Sequence, residues 1–389
     1  MRTFNMGQVP PVTFGAGRVQ KLPNLATSLG SGPVLIIADA ILADLGVTEH
    51  LKQLMSKKGL SVEIAAEISG EPKEALVDAL CERARQAGAD VIVGLGGGAA
   101  MDAAKLVAAI ATSNQPAENF ALAAMPLPKT GLPSIAIPTT AGTGSEVTRT
   151  SVISKSDGSK IWFWGEDIMF SQAILDPELT LSLPPNLTAW TGIDAVAHAL
   201  EGSTAINTSP AGLLFGLEAL RILANALPGA VDNGTDIDLR AQVLWGSMVA
   251  GLALHNCNTH MGHNISHALG SLARVHHGHA TGLALEAILP WLVSKQEGHA
   301  NYAQAAEALG GPAKAEALPD VFSDLMRRCH IAAQLPSGCE SVTAAQLSGE
   351  MQNAANIGMA RNAVCDITEG DFLELASRVT ALPIAATAS

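Results

Sequence analysis

The residues best suited to chemistry are histidines and one aspartate in the second half of the chain. Asp194 and His198 lie four residues apart in TGIDAVAHALEG, so on a helix both side chains leave one face. His263 and His267 repeat this spacing in MGHNISHALG, and seven of the 11 histidines lie within residues 255–279. A single histidine on a helix is more often structural, but imidazoles this dense beside a carboxylate suit zinc or ferrous iron. The spacing leaves open which of the later histidines bind: His260, His263, His267, His276, His277 or His279.

A glycine-rich turn in the first half of the chain is suited to binding a phosphate group. Gly96, Gly97 and Gly98 stand between a β-branched run at 90–96 and an alanine-rich helix. Glycines let the backbone approach a ligand, and the free N–H groups of a helix start favour a pyrophosphate. Asp39 ends an earlier strand, where its carboxylate could accept both ribose hydroxyls and repel a 2′-phosphate. The pattern indicates NAD rather than NADP, although a tight structural turn fits the same residues.

A second turn, PTTAGTGSE at 138–146, follows the next predicted strand. It is rich in hydroxyls and glycines, and open α/β sheets bind their ligands at the carboxyl ends of strands. Taken alone, the turn fits a ligand contact and an ordinary polar loop equally well.

The elements that must position these residues change type partway along the chain. Apolar β-branched runs alternate with helical stretches in the first half, which predicts a parallel sheet covered on both faces, with strands at 34–39, 61–68, 90–96 and 133–140. From Leu187 onward no convincing strand is found, and alanine- and leucine-rich helical periods dominate. We therefore predict an α/β plus all-α fold. A Rossmann-like dinucleotide-binding domain at 1–180 is followed by a helical metal-binding and substrate domain at 181–389.

The composition of the chain disfavours nucleic-acid binding, a disulfide framework and a membrane span. The net charge of −13 disfavours a nucleic-acid partner, which needs clustered Lys and Arg. Five cysteines without a Cys-x-x-Cys pair disfavour a disulfide framework and fit a reducing compartment. The stretch MRTFNMGQVPPVTFG lacks the apolar region of a signal peptide, and no uninterrupted apolar stretch reaches the roughly 20 residues that span a bilayer. We expect a cytoplasmic protein with no membrane partner.

Together the motifs resemble the iron-containing, or group III, alcohol dehydrogenases. The similarity covers nearly the whole chain and is carried by VPPVTFGAGRVQKLP, the glycine turn with Asp102 and Lys105, PTTAGTGSEVT, ILDPELTLSLPP, GIDAVAHALEG, and HNISHALG followed by HHG. The resemblance implies the dehydroquinate synthase-like superfamily fold, with a Rossmann-like α/β domain before a helical domain. It also implies NAD, a divalent metal that is Fe(II) or alternatively Zn(II), and a homodimer or larger homo-oligomer.

Carried over residue by residue, the resemblance assigns roles to individual positions. The implied metal ligands are Asp194, His198, His263 and His277. His267 falls on a position close to the nicotinamide and is the implied catalytic residue, relaying a proton to solvent. The implied cofactor contacts are Asp39, Gly96, Gly97, Gly98, Asp102, Thr139, Thr140, Thr143 and Lys160. The implied substrate-pocket residues are Trp162 and Leu254.

The activity that the resemblance implies is hydride transfer between NAD(H) and a small alcohol or aldehyde. An alcohol carbon gives up hydride readily only when its oxygen is anionic. A divalent metal lowers the pKa of a bound water from 15.7 to about 7, and we expect an alcohol to respond in the same way.

The chain departs from the family pattern at three places. His276 stands where the family commonly has proline, so two adjacent histidines compete for one ligand position. Trp162 and Trp164 are bulky, and the stretch MARNAVCDITEGDF lacks the usual Asn-Pro-Arg. The last two departures bear on the shape of the substrate pocket.

Other activities of the superfamily are alternatives. A maleylacetate-reductase-like or glycerol-dehydrogenase-like oxidoreductase would share most of the motifs. A lyase resembling dehydroquinate synthase is disfavoured because it clamps a phosphorylated acid with many basic residues, and residues 240–280 contain only Arg240 and Arg274. A non-catalytic binding protein is a further alternative.

Overall fold

The computed structural model describes residues 3–385, which form two compact units. The α/β unit comprises Gln8–Thr140 and Ser145–Leu181. Among the described residues, the helical unit comprises 3–7, Ala141–Gly144 and 182–385. The outermost residues of the two predicted domains, 1–2 and 386–389, lie outside the described range.

The α/β unit is built on a parallel sheet. Its strands are β1 (Val12–Phe14), β2 (Val34–Asp39), β3 (Val62–Ile68), β4 (Val91–Gly96), β5 (Ser134–Pro138), β6 (Thr150–Ser154), β7 (Lys160–Trp164) and β8 (Gln172–Leu175). Six strands pair in the order β1-β8-β5-β4-β2-β3, and every neighbouring pair is parallel. Strands β6 and β7 form a separate antiparallel hairpin. The parallel sheet confirms the predicted class of this part of the fold.

Helices cover both faces of the sheet. They are α1 (Leu22–Leu29), α2 (Ala40–Asp44), α3 (Val47–Ser56), α4 (Glu74–Gln86) and α5 (Gly98–Ile110). Ile36 of β2 and Val93 of β4 belong to a buried cluster that also contains Leu51 and Met55 of α3. Ten of the 13 residues of α5 are buried, so this helix packs as a core element.

The helical unit contains the remaining helices of the described chain. They are α6 (Pro185–Thr204), α7 (Pro210–Asp232), α8 (Ile237–Cys257), α9 (Met261–Ala273), α10 (His277–Ser294), α11 (His299–Ala308), α12 (Leu318–Arg328), α13 (Ala344–Met351), α14 (Ile357–Ala360) and α15 (Glu369–Thr380). Helix α6 packs against α7, α8, α9 and α10. Fifteen of its 20 residues are buried, so α6 is surrounded by protein. Charged side chains on such a helix need partners, because an isolated buried charge is strongly destabilising.

One helix of the described residues, α7, is long and apolar enough to cross a membrane by length and composition alone. More than half of its most apolar window, 56%, is buried inside the protein, as in the core helix of a soluble fold. Its length and apolarity are therefore weak evidence for a membrane span.

Candidate active site

Three helices of the helical unit bring together one carboxylate and two imidazoles. Asp194 lies on α6, His263 on α9 and His277 at the first position of α10. The Oδ1 atom of Asp194 lies 3.6 Å from Nε2 of His263 and 3.4 Å from Nε2 of His277. One ligand atom from each residue lies within 4.8 Å of the other two, as in a group that holds a metal ion.

Two buried atoms of this group make no hydrogen bond among the described residues, which suggests that they bind an ion. Asp194 Oδ1 and His263 Nε2 are both buried, and neither makes a hydrogen bond within the described chain. Their separation of 3.6 Å is too long for a good hydrogen bond. Buried polar atoms without partners are costly, and one oxygen with two nitrogens matches the ligand set of Zn(II) or Fe(II). The residues therefore fit a divalent metal.

Each of the three candidate imidazole ligands has its Nδ1 atom placed against a partner. His198 Nδ1 lies 3.3 Å from the carbonyl oxygen of Gly142, and His277 Nδ1 lies 3.3 Å from Oγ of Ser266. His263 Nδ1 lies 2.6 Å from a carboxylate oxygen of Glu201. Such partners fix the ring orientation and leave Nε2 as the ligand atom, as is usual around metal-binding histidines.

The predicted ligand His198 is not one of the three residues that form the tight group. It lies one helical turn after Asp194, buried, with its ring stacked on that of His263 at a centroid distance of 4.4 Å. Its Nδ1 atom is 3.9 Å from Asp194 Oδ2, too far for a hydrogen bond. The structure thus places His198 beside the group, with Asp194, His263 and His277 closer together.

The electrostatics of the site favour positive charge. Burial alone would lower the pKa of His263, but the facing carboxylates of Glu201 and Asp194 outweigh it and raise that pKa to about 9. Burial would raise the pKa of Asp194, yet the surrounding histidines hold it well below its ordinary value. Burial lowers the pKa of His198 to about 4. A metal requires an ionised carboxylate and neutral imidazoles, so Asp194 and His198 already have the required protonation states, and a bound cation would replace the proton that the carboxylates favour on His263.

The adjacent histidines that the sequence could not separate lie in different surroundings. His277 joins Asp194 and His263, whereas His276 is exposed and its ring tilts against Trp190 at 5.2 Å. The reason is that α10 begins at His277, so His276 is the residue before its first turn. The departure from the family pattern at His276 therefore leaves the group of three intact.

Three other histidines of the cluster lie in different surroundings. His267 is half-buried one turn after His263, and its ring meets that of His277 edge-on at 5.3 Å. His279 stacks on Trp190 at 4.9 Å, and burial lowers the pKa of His279 to about 4. His260 is buried against Thr204, with 3.0 Å between Nε2 and Oγ1.

Sequence reasoning missed Glu201, which is completely buried beside the candidate metal ligands. Its carboxylate accepts hydrogen bonds from the backbone N–H groups of His260 and Gly262 and faces His263 Nδ1. Burial would raise the pKa of Glu201, but His260 and His263 together with these hydrogen bonds hold it below its ordinary value. The available signal was spacing, because Glu201 follows Asp194 by seven residues and so lies on the same helical face.

In the α/β unit, the predicted nucleotide residues meet at the carboxyl ends of three neighbouring strands. The N–H group of Gly97 donates to Asp39 Oδ2 at 2.7 Å, and the N–H group of Thr139 donates to the carbonyl of Gly96 at 2.9 Å. Burial raises the pKa of Asp39, and the hydrogen bond from Gly97 opposes this. Gly98 opens α5, and Thr140 lies beside Gly97. The arrangement gives a helix start next to a carboxylate, as a dinucleotide site needs.

The other predicted cofactor contacts are more dispersed. Asp102 accepts from Ser145 Oγ at 2.6 Å and from the N–H of Val152 at 2.8 Å. Lys160 begins β7, is only 8% exposed, and its Nζ lies 3.1 Å from Glu71 Oε1. Thr143 lies in the short segment that belongs to the helical unit.

The two predicted substrate-pocket residues lie in different units. Trp162 is half-buried on β7, where it pairs with Val152 of β6. Leu254 is half-buried near the end of α8.

A buried charged cluster lies along α5. Lys105 is fully buried and donates from Nζ to the carbonyls of Thr148 and Thr150 at 3.0 and 2.6 Å. Burial lowers the pKa of Lys105 to about 8, although Asp102 and Glu146 oppose the shift. Burial likewise raises the pKa of Glu146 to about 7. Both side chains therefore titrate much closer to neutrality than usual.

Replacing Glu146 with glutamine is expected to flatten the stability profile between pH 5 and pH 7.5. Glu146 has an ordinary pKa of 4.5 and a folded pKa of about 7, so the native state binds more protons in this window. Glu146 therefore contributes a loss of stability on the order of 1–3 kcal/mol as pH rises to 7.5, and Glu146→Gln lacks this contribution. Thermal midpoints at the two pH values measure the difference. The exposed Glu307→Gln should behave like the wild type, and equal pH slopes for wild type and Glu146→Gln would contradict the assignment.

A parallel sheet with a helix start at its carboxyl edge and a buried carboxylate–imidazole group on helices are the features expected of a metal-dependent oxidoreductase of the dehydrogenase class. The family model described as iron-containing alcohol dehydrogenase matches residues 10–177, and its C-terminal counterpart matches residues 188–361. The chain belongs to the iron-containing alcohol dehydrogenase family.

Individual relatives agree with this assignment. The chain is 33% identical over 305 residues to long-chain-alcohol dehydrogenase 1 of Geobacillus thermodenitrificans, covering 78% of this chain and 76% of the relative. It is 32% identical over 305 residues to an NAD-dependent methanol dehydrogenase of Bacillus methanolicus, covering 78% and 79%. Among solved structures, sulfoacetaldehyde reductase from Bifidobacterium kashiwanohense in complex with NAD+ matches with a TM-score of 0.88 and 27% identity, covering 98% of this chain and all of the other.

Proposed function

We propose that this chain is an NAD-dependent, metal-dependent alcohol dehydrogenase that also acts as an aldehyde reductase on small substrates. The reaction takes a hydride and a proton from an alcohol and gives an aldehyde, NADH and a free proton. The observation that carries the proposal is the group formed by Asp194, His263 and His277 in a chain of this family. Two atoms of the group, Asp194 Oδ1 and His263 Nε2, are buried and make no hydrogen bond within the described chain. Relatives named as NAD-dependent and alcohol dehydrogenases support the proposal.

The helical unit would hold the metal. Asp194, His198, His263 and His277 are the proposed ligands of Fe(II) or Zn(II), with Gly142 and Ser266 orienting two of the rings. When bound, a divalent cation polarises a substrate oxygen and lowers its pKa. His267, half-buried beside His277, is proposed to accept the released proton on its ring and pass it to solvent, because an imidazole exchanges protons near neutral pH.

The α/β unit would hold the dinucleotide, which supplies the hydride acceptor. The proposed cofactor contacts are Asp39, Gly96, Gly97, Gly98, Asp102, Thr139, Thr140 and Lys160, together with Thr143 of the helical unit. The start of α5 would bind the pyrophosphate, and Asp39 would accept a ribose hydroxyl and disfavour a 2′-phosphate. Trp162 and Leu254 are the proposed substrate contacts. We further propose a cytoplasmic homo-oligomer without nucleic-acid or membrane partners.

Metal removal tests the proposed function. The chelated, metal-free enzyme is expected to form no NADH from small alcohols such as ethanol or 1-propanol while still binding NADH. Anaerobic addition of Fe(II), or addition of Zn(II), is expected to restore turnover. Full activity after the metal has been stripped, or failure to bind any nicotinamide dinucleotide, would overturn the proposal.

A further inference from the structure

Glu201 holds three groups with one buried carboxylate. Its Oε2 accepts from the N–H of His260 at 3.0 Å and lies 2.6 Å from His263 Nδ1, while Oε1 accepts from the N–H of Gly262 at 2.5 Å. His260 directly precedes α9, and Gly262 and His263 lie in its first turn, so the carboxylate of α6 also serves as the cap of that helix. Negative charge at a helix start is favourable, and no side chain of α9 itself caps this end.

The position of this carboxylate determines which nitrogen of the His263 ring is available to a metal. With Nδ1 facing Glu201, Nε2 faces Asp194 at 3.6 Å and has no hydrogen-bond partner in the described chain. A ring turned the other way would remove the 2.6 Å contact of His263 Nδ1 from a completely buried carboxylate, whose other imidazole neighbour, His260 Nδ1, lies at 3.2 Å. The loss of that donor is costly in a buried place.

We propose that Glu201 is a positioning residue, which holds the Nδ1–H of His263 and keeps Nε2 directed to the divalent metal of the proposed function. The inference rests on that function, because it assigns a partner to one of its ligands. Glu201 contacts the His263 ring and the N–H groups of His260 and Gly262, and its Oε1 lies 3.2 Å from His260 Nδ1. Of these partners only His263 is a proposed ligand, so the effect of Glu201 on the metal passes through that ring.

Zn(II) binding to the metal-free protein tests the inference without any turnover. Glu201→Gln is expected to weaken Zn(II) binding by about 10- to 100-fold, since an amide offers one acceptor oxygen in place of two. Competition with a chromogenic chelator measures the affinity. Glu286→Gln is the matched control: this half-buried glutamate of α10 accepts from Ser323 Oγ at 2.6 Å and is outside the metal group, so its Zn(II) affinity should stay within twofold of the wild type.

The possible outcomes separate this inference from the proposed function. If the wild type does not bind Zn(II), the proposed metal site fails. If the wild type binds and Glu201→Gln binds within twofold of it, Glu201 is not a positioning residue and the inference is overturned.

A double-variant comparison separates positioning from general support of the fold. At Zn(II) concentrations high enough to load the weakened site of a His263→Ala background, Glu201→Gln is expected to cause less than a twofold further loss of Zn(II) affinity, because the ring through which it acts is gone. The same 10- to 100-fold loss in both backgrounds would mean that Glu201 supports the fold rather than His263, and would overturn the inference.

A measurement on the wild type does not depend on how any variant folds. In Zn(II)-loaded protein with 15N-labelled histidines, the resonance of His263 is expected to show a protonated Nδ1 and a metal-bound Nε2. Its assignment rests on the resonance that disappears in His263→Ala. A deprotonated Nδ1, or metal on Nδ1, would overturn the inference.

Discussion

His263→Ala is expected to lose its metal and nearly all turnover while still binding NADH. Nε2 of this ring is one of the two atoms of the candidate metal group that are buried without a hydrogen-bond partner in the described chain, and the ring faces Asp194 and stacks on His198. Loss of an outer partner of a ligand already costs 10- to 100-fold, so loss of the ligand itself should reduce turnover by more than about 100-fold. NADH binding should persist, because Asp39 and the glycine turn belong to the α/β unit.

Elemental analysis, NADH fluorescence titration and kcat with a small alcohol measure the three quantities. His330→Ala is a suitable control: this side chain is 70% exposed and pairs with Asp232, so all three quantities should stay at wild-type values. Unchanged turnover in His263→Ala would refute its assignment as a ligand.

The parts of the fold that the sequence predicted are those whose signal is local. The strands at 34–39, 61–68 and 90–96 were predicted within one residue. The first and third are buried and read as continuous apolar runs, whereas the edge strand β3 is recognised by its Val and Ile residues. The sequence did not predict β1 and β8, which have only three and four residues. They pair with each other, Val12 opposite Ala173, so their stability comes from a partner far along the chain.

In the candidate site, too, the residues that were predicted are those with a local signal in the sequence. Asp194 and His198 were found from their spacing, and their assignment as ligands remains a prediction. Glu201 was missed because a glutamate in an amphipathic pattern usually faces solvent. Only the packing of α9 against α6 turns it into a buried partner of His263. The sequence also left open whether His276 or His277 is the ligand, because that depends on the residue at which α10 begins.

Gly96→Ala is expected to abolish high-affinity NADH binding and to lower stability by about 2–4 kcal/mol. Gly96 has a φ of +147°, a conformation that residues with a Cβ atom rarely adopt. An added Cβ would lie 2.4 Å from Asp39 Oδ2 and 2.8 Å from the Cβ of Ala100. The carboxylate would have to move away from Gly97, breaking the hydrogen bond that joins the end of β2 to the start of α5. Fluorescence titration with NADH and thermal unfolding measure the two losses.

Gly88→Ala separates backbone strain from crowding in this prediction. Gly88 has a φ of +59°, and no heavy atom lies within 4 Å of an added Cβ. Its replacement should cost about 1–2 kcal/mol from strain alone and leave NADH affinity unchanged. If Gly96→Ala also kept wild-type affinity, the turn between β4 and α5 would not be where the dinucleotide binds. If both variants lost affinity equally, the loss would reflect destabilisation of the whole α/β unit rather than crowding of Asp39.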